Sequence, residues 1–148
     1  MLKLPPPVWT FLYMVLAGAA SWLYPWRALL ELRLVWLGVA LIAIGVGISG
    51  WAFSLFRRAG TEIDPTSQTN KSLVVQGPFR FTRNPMYLGL VMVTLGVAFV
   101  VGSLPMFAVP ALVFGTANRA HIPFEEAKMR RQFGAAFEQY TRQVRRWI

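Results

Sequence analysis

Two stretches without an ionised side chain constrain this chain more than any other feature. Leu34 to Phe56 carries no charge, and neither does Asn84 to Asn118, a run of 35 residues. A hydrocarbon layer about 30 Å thick is crossed by roughly 20 helical residues. The first run fits one crossing and the second is too long for one. Gly102-Ser103-Leu104-Pro105 divides the second, because Gly and Pro are the strongest local punctuation. The expected result is a tight hairpin of two short helices, about 86–102 and 105–119. A further apolar segment, Val8 to Tyr24, comes earlier in the chain.

Composition leads the same way. Of 148 residues, 55% are hydrophobic and only 14% are charged, against about a quarter charged in a typical soluble domain. The length suits one domain, 1–148, and the hydrophobicity excludes disorder. With no cysteine there is no disulfide framework, thiolate metal site or cysteine nucleophile. A net charge of +9 would suit a nucleic-acid binder. The apolar runs instead place the basic segments against anionic lipid headgroups, with no nucleic-acid partner. The fold class expected is an all-α integral membrane protein with four transmembrane helices, about 8–24, 34–56, 86–102 and 105–119. Ala17-Gly18-Ala19 mimics a signal-peptidase site, but a single Lys3 and three prolines make a poor positive n-region, so 8–24 counts as a span.

Lysines and arginines orient these spans. Thirteen fall in the 57–83 loop, in the segment from Arg119 onward and at Lys3, against Arg27 and Arg33 on the other side. The positive-inside rule then predicts that both termini and the loop face the cytoplasm. Within the loop, Asp64-Pro65-Thr66-Ser67 predicts a turn and Ser72 to Gln76 a short extended piece. In the tail, Met129, Phe133, Phe137, Tyr140, Val144 and Trp147 recur at helical spacing opposite a basic face. That pattern predicts one amphipathic helix over about 123–147, lying in the headgroup region.

Several signals carry both a structural and a chemical meaning. Gly45-Val46-Gly47-Ile48-Ser49-Gly50 matches a dinucleotide fingerprint by letter, but lies deep in an apolar helix. Close approach of a second helix explains it better, and a contact between copies is one such use. Asn84 and Pro85 suit the N-cap and first turn of the third span, with Arg83 and Tyr87 as interfacial anchors. A helix start beside an arginine is also an anion site. Glu125-Glu126 can be first-turn acids stabilised by the helix dipole. Carboxylates at a membrane boundary are nonetheless expensive unless paired, so a partner or polar ligand is expected. His121 stands four residues before Glu125 and shares its face in a continuous helix. With no second histidine and no cysteine, a metal site is not expected.

The stretch Gly77-Pro78-Phe79-Arg80-Phe81-Thr82-Arg83-Asn84-Pro85-Met86-Tyr87-Leu88-Gly89 resembles the signature of membrane methyltransferases, the isoprenylcysteine carboxyl methyltransferase and phospholipid methyltransferase-like families. Glu125-Glu126, Met129 to Gly134, Tyr140 and Val144 to Trp147 resemble the ending of the same families, so the likeness covers about 60–148. It implies transfer of a methyl group from S-adenosylmethionine, with S-adenosylhomocysteine as product, to a lipid or a lipophilic or lipidated acceptor. By position, Arg83 and Glu125 carry the active-site roles. Arg83, Asn84, Pro85, Tyr87, Leu88, His121, Glu125, Glu126, Phe133 and Tyr140 would surround the cofactor. Asn84 replaces the commoner histidine and cannot titrate, while Phe79 and Phe137 replace tyrosines. Two other functions compete with that expectation. One is a nicotinamide-dependent membrane reductase related to sterol reductases, and the other a non-enzymatic scaffold with a polybasic tail.

Overall fold

The computed structural model describes residues 5–23, 33–60 and 71–148. Every regular element among them is helical. Helix α1 spans Pro6–Leu23 and α2 spans Val35–Arg58. A 3-10 turn at Gly77–Arg80 leads into α3, Pro85–Val101. Next come α4, Leu104–Thr116, a π-turn at Ala117–His121, α5, Ile122–Phe133, and α6, Ala135–Gln143. The turn expected at Asp64 to Ser67 lies outside the described residues. Ser72 to Gln76 pairs with no strand.

The hairpin forms where Gly102 permits it. Its φ of +74° is left-handed, and its N–H closes α3 on the Ala98 carbonyl at 2.7 Å. Leu104 and Pro105 then restart the chain as α4. The expectation of four spans is corrected, among the described residues, to two helices long and apolar enough to cross a membrane, Pro6–Leu23 and Val35–Arg58. After the Gly102–Ser103 break, α3 keeps 17 residues and α4 only 13, about 20 Å of helix. Little of the two long helices is buried inside the protein, 6% and 11% of their apolar windows. Phe11, Trp22, Trp36 and Trp51 accordingly point outward, as a lipid-facing surface requires.

Helix α2 packs along α3, α3 on α4, and α4 on α1. The α2–α3 seam is a glycine contact. A Cβ on Gly45 would stand 2.6 Å from the Gly89 carbonyl oxygen, and one on Gly38 would stand 2.5 Å from that of Gly96. Close helix approach is therefore what Gly45 serves, whereas Gly47 and Gly50 face open space. On the other side of α3, Ala98, Met106, Val109 and Val113 pack with Ala17 as the buried core. Hydroxyl pairs Tyr13–Thr116 and Ser21–Ser103, at 2.9 and 2.8 Å, tie α1 to α4 and to the hairpin turn.

The single tail helix expected over 123–147 is two helices joined differently. Helix α5 does not start afresh at Pro123 but continues from α4 through the π-turn. Proline lacks an N–H, and the wider turn just before it absorbs the break in the ladder. Gly134, with φ +48°, then separates α5 from α6. Beyond Gln143 the chain leaves the helix at extended Val144 and runs back beneath α3. One aromatic stripe therefore becomes separate contacts. Phe137 and Tyr140 are buried, while Trp147 stacks on Phe114 of α4 at 4.5 Å.

Candidate active site

The approach to α3 is built by short-range geometry. Gly77 adopts φ +58°, and a side chain there would strike Leu55 and the Trp51 ring. The 3-10 turn so placed buries Phe79 against Phe56, ring centres 5.3 Å apart. The Phe79 carbonyl accepts the Tyr140 hydroxyl at 2.7 Å, which carries α6 up to the same point. Burial of Tyr140 pushes its hydroxyl pKa up to about 12, so it stays a donor.

Arg83 follows, and its guanidinium is largely engaged by the protein itself. One terminal nitrogen donates to the carbonyls of Thr141 and Val144, at 3.1 and 2.8 Å. The other pairs with Glu126 Oε1 at 2.8 Å. The Arg83 N–H, the Thr82 hydroxyl and Asn84 Nδ2 all donate to the carbonyls of Arg145 or Arg146, at 2.9 to 3.1 Å. Asn84 thus occupies the N-cap position, but its side chain clasps the returning segment and makes no cap bond. Within the Arg83 guanidinium, Nε–H is buried without a partner.

Glu126 is shared. Arg146 donates to both of its oxygens, at 2.6 Å to Oε2 and 3.1 Å to Oε1, opposite Arg83. Burial pushes this carboxyl up, but hydrogen bonds and charge from Arg146 and Arg83 outweigh it and hold it below the ordinary value. Arg146 and Trp147 also reach Asn118 Oδ1 in the π-turn, at 3.3 and 3.2 Å. Glu125 points elsewhere and accepts the Tyr87 hydroxyl at 2.6 Å. Its carboxyl is raised, chiefly by burial, against the opposing pull of Tyr87 and Lys128.

These elements surround a cavity of about 840 Å³. Its polar end holds Arg83, Asn84, Pro85, Tyr87, Glu125, Glu126 and Tyr140, seven of the ten residues expected around a cofactor. Leu88, His121 and Phe133 are not on its wall. Leu88 lies on the opposite face of α3 from Met86, Leu90 and Val93, and Phe133 stands one turn beyond Met129, the last α5 residue on the wall. The π-turn rotates His121 behind Tyr87, with ring centres 6.2 Å apart, beside a void of about 10 Å³. Sequence reading missed Lys128, which lines the cavity, and Arg146 and Asn118, which brace it. Lys128 stands three residues after Glu125, so helical spacing did offer that signal. The deeper wall is apolar, with Val46, Gly50 and Phe53 from α2 facing Leu90 and Val93 from α3. Val93 is eight residues along α3 from Pro85, about 12 Å into the apolar layer.

The phospholipid methyltransferase family model matches residues 34–136. This chain belongs to the phospholipid methyltransferase family. Membership implies methyltransferase activity, and the two apolar helices go with membrane association. The region shared with the family includes both the Arg83-Asn84-Pro85 corner and the Glu125-Glu126 pair. Tyr140 and Arg146 lie beyond it. No curated protein and no solved structure matches the chain.

Proposed function

We propose that this family member is a multi-pass membrane enzyme that transfers a methyl group from S-adenosylmethionine to a lipid or lipophilic acceptor at the cytoplasmic face. One observation carries the reading. Two motifs far apart in sequence, joined by the Tyr87–Glu125 hydrogen bond, meet on a cavity with a polar end and an apolar depth. Its volume of about 840 Å³ lies in the range of small-molecule and cofactor sites.

The residues present fit such a cofactor. The unpartnered Arg83 Nε–H and the uncapped start of α3 suit a carboxylate. Glu125 suits a ribose hydroxyl, and the rings of Tyr87 and Tyr140 suit adenine or a sulfonium. When bound, S-adenosylmethionine supplies an electrophilic methyl group on a good leaving group. What remains for the protein is alignment in a dry pocket. Val46, Phe53, Leu90 and Val93 exclude water and take up hydrocarbon. Arg83 holds Glu126 and the returning segment, so it fixes the shape of the polar end. Glu125, whose carboxyl burial pushes up, can receive a proton from an acceptor amine or hydroxyl.

Purified protein incubated with labelled methyl donor and membrane extract tests the activity directly. A labelled lipid is expected. Label in no product, together with NADPH binding, would replace this reading by a reductase. Orientation is tested with cysteine variants at Ser72 and Ala135, which should react only from the cytoplasmic side. Exclusively external labelling would overturn the orientation.

A further inference from the structure

Among the described residues, one glycine stands on the cavity wall, Gly50 in α2. Glycine inside a helix is unfavourable relative to alanine. At Gly38 and Gly45 the approach of α3 leaves no room for a Cβ. That reason fails at Gly50, where a Cβ meets nothing within 4 Å. Val46 and Phe53, four residues before and three after, share its helix face and line the same cavity. Between them the wall is the bare backbone of α2, with open space in front of it.

The α2–α3 seam fixes the depth of this opening. Gly45 lies against Gly89 and Gly38 against Gly96, so the two helices run antiparallel. The Ser49 hydroxyl donates to the Met86 carbonyl at 3.5 Å. Gly50 therefore stands level with the start of α3, where Arg83, Tyr87 and Glu125 gather on the opposite wall. Val46 is one turn deeper, level with Leu88 and Gly89, and from there Leu90 and Val93 continue an apolar wall. Gly50 marks the step from the polar end to the apolar depth.

We propose that Gly50 is a specificity-determining residue for the acceptor: its missing side chain keeps open the passage by which a hydrocarbon chain runs from the polar end into the depth between α2 and α3. Val46, Phe53, Leu90 and Val93 carry no hydrogen-bonding side chain, so the occupant of the depth is hydrocarbon and not a polar headgroup. A larger residue at 50 would project into the passage beside Val46 and Phe53 and restrict the site to acceptors with short chains. The role of this chain as an acceptor rests on the methyltransferase reading, whereas the open face of α2 does not.

The experiment uses phosphatidylethanolamine with a diazirine in one acyl chain, photo-crosslinked to the full chain in phosphatidylcholine nanodiscs and mapped by peptide mass spectrometry. Labelling at Leu90 and Val93 reports the depth, and labelling at Trp36, 88% exposed on α2, reports lipid outside. Gly50→Leu should lower the ratio of inner to outer label by about tenfold or more, as expected where a pocket discriminates by size. Gly47→Leu, which enters open space off the cavity wall, should leave the ratio at the wild-type value. S-adenosylhomocysteine affinity, measured by calorimetry, should stay within about threefold in Gly50→Leu, because the polar groups stand on α3 and α5. A wild type labelled at neither Leu90 nor Val93 overturns the passage, and so does an unchanged ratio in a folded Gly50→Leu protein. A loss of nucleoside affinity as large as the loss of label overturns the assignment to the acceptor. Should the leucine variant fail to fold, Gly50→Ala decides: its methyl favours the helix, and the ratio should still fall by about twofold, an unchanged ratio overturning the passage. A wild type that binds no nucleoside yet shows labelling dependent on Gly50 sinks the methyl-donor reading and keeps the hydrocarbon passage.

Discussion

The Tyr87 hydroxyl donates to Glu125 Oε1 at 2.6 Å, and this one contact joins α3 to α5 at the cavity wall. Removing the donor leaves a buried carboxylate oxygen short of a partner, which costs about 1–3 kcal/mol. Tyr87→Phe is therefore expected to lower the unfolding temperature while keeping the helical content. Glu125 should also titrate higher than in the wild type, because the lost hydrogen bond is one that favours its ionised form. Thermal melts followed by circular dichroism and carboxyl infrared titration check the two effects.

The two adjacent acids should shape the pH profile in opposite ways. Glu126 is held below its ordinary value of 4.5 when folded. Its stabilising contribution is present above about 4.5 and is lost as pH falls through the folded value. Glu125 is raised above 4.5. Between 4.5 and its folded value the native state keeps a proton that the unfolded chain has released, so stability falls as pH rises there. Glu126→Gln should flatten the acid side of the stability profile, and Glu125→Gln should flatten the opposite slope. Melting temperatures measured across about pH 3 to 8, from about one unit below the ordinary carboxylate values to well above them, distinguish them. As a site residue, Glu125 should also lose tenfold or more in donor affinity or turnover on the same change, about 1.4 kcal/mol.

Arg83→Lys keeps the charge but not the planar fork. A lysine cannot reach the Thr141 and Val144 carbonyls and Glu126 together as the guanidinium does. Backbone amides from Val144 to Trp147 should exchange faster, and methyl transfer should fall by tenfold or more in a protein that still folds. Wild-type exchange and turnover would reduce Arg83 to an interfacial anchor.

The α2–α3 seam gives a test independent of the site. A methyl added at Gly38 meets the Gly96 carbonyl oxygen at 2.5 Å and Val100 Cγ2 at 2.7 Å. Gly38→Ala should destabilise by about 1–3 kcal/mol through overpacking. Gly47→Ala enters open space and should stabilise α2 by up to about 1 kcal/mol. Unfolding measured in one detergent for both variants should show opposite signs.

Both helix runs and the hairpin break were legible, because charge-free length and Gly102 are local signals. The Arg83 corner and the Glu125–Glu126 pair were legible as motifs. Their partners were not. Arg146 counts in the sequence as one more headgroup-facing cation, and only the return of the chain beneath α3 brings it to Glu126. Lys128 looks like part of a solvated basic face until α5 is seen to press that face on the cavity. Gly134 follows Phe133 where a helix could end, and a continuous stripe of aromatic residues hid that signal.

The π-turn at Ala117–His121 sets the phase between the hydrocarbon-facing helix α4 and the acidic face of α5. An α-helix advances roughly 100° per residue. A π-turn accommodates about one residue more than the α-helical turn it replaces. Deleting Ala120 would restore an unbroken α-helix and swing Glu125, Glu126 and Lys128 by about that angle, off the cavity and into solvent or lipid. The composition would be nearly unchanged and the helices would survive. One inserted residue is thus the angular offset that converts a membrane hairpin with a charged tail into a walled compartment.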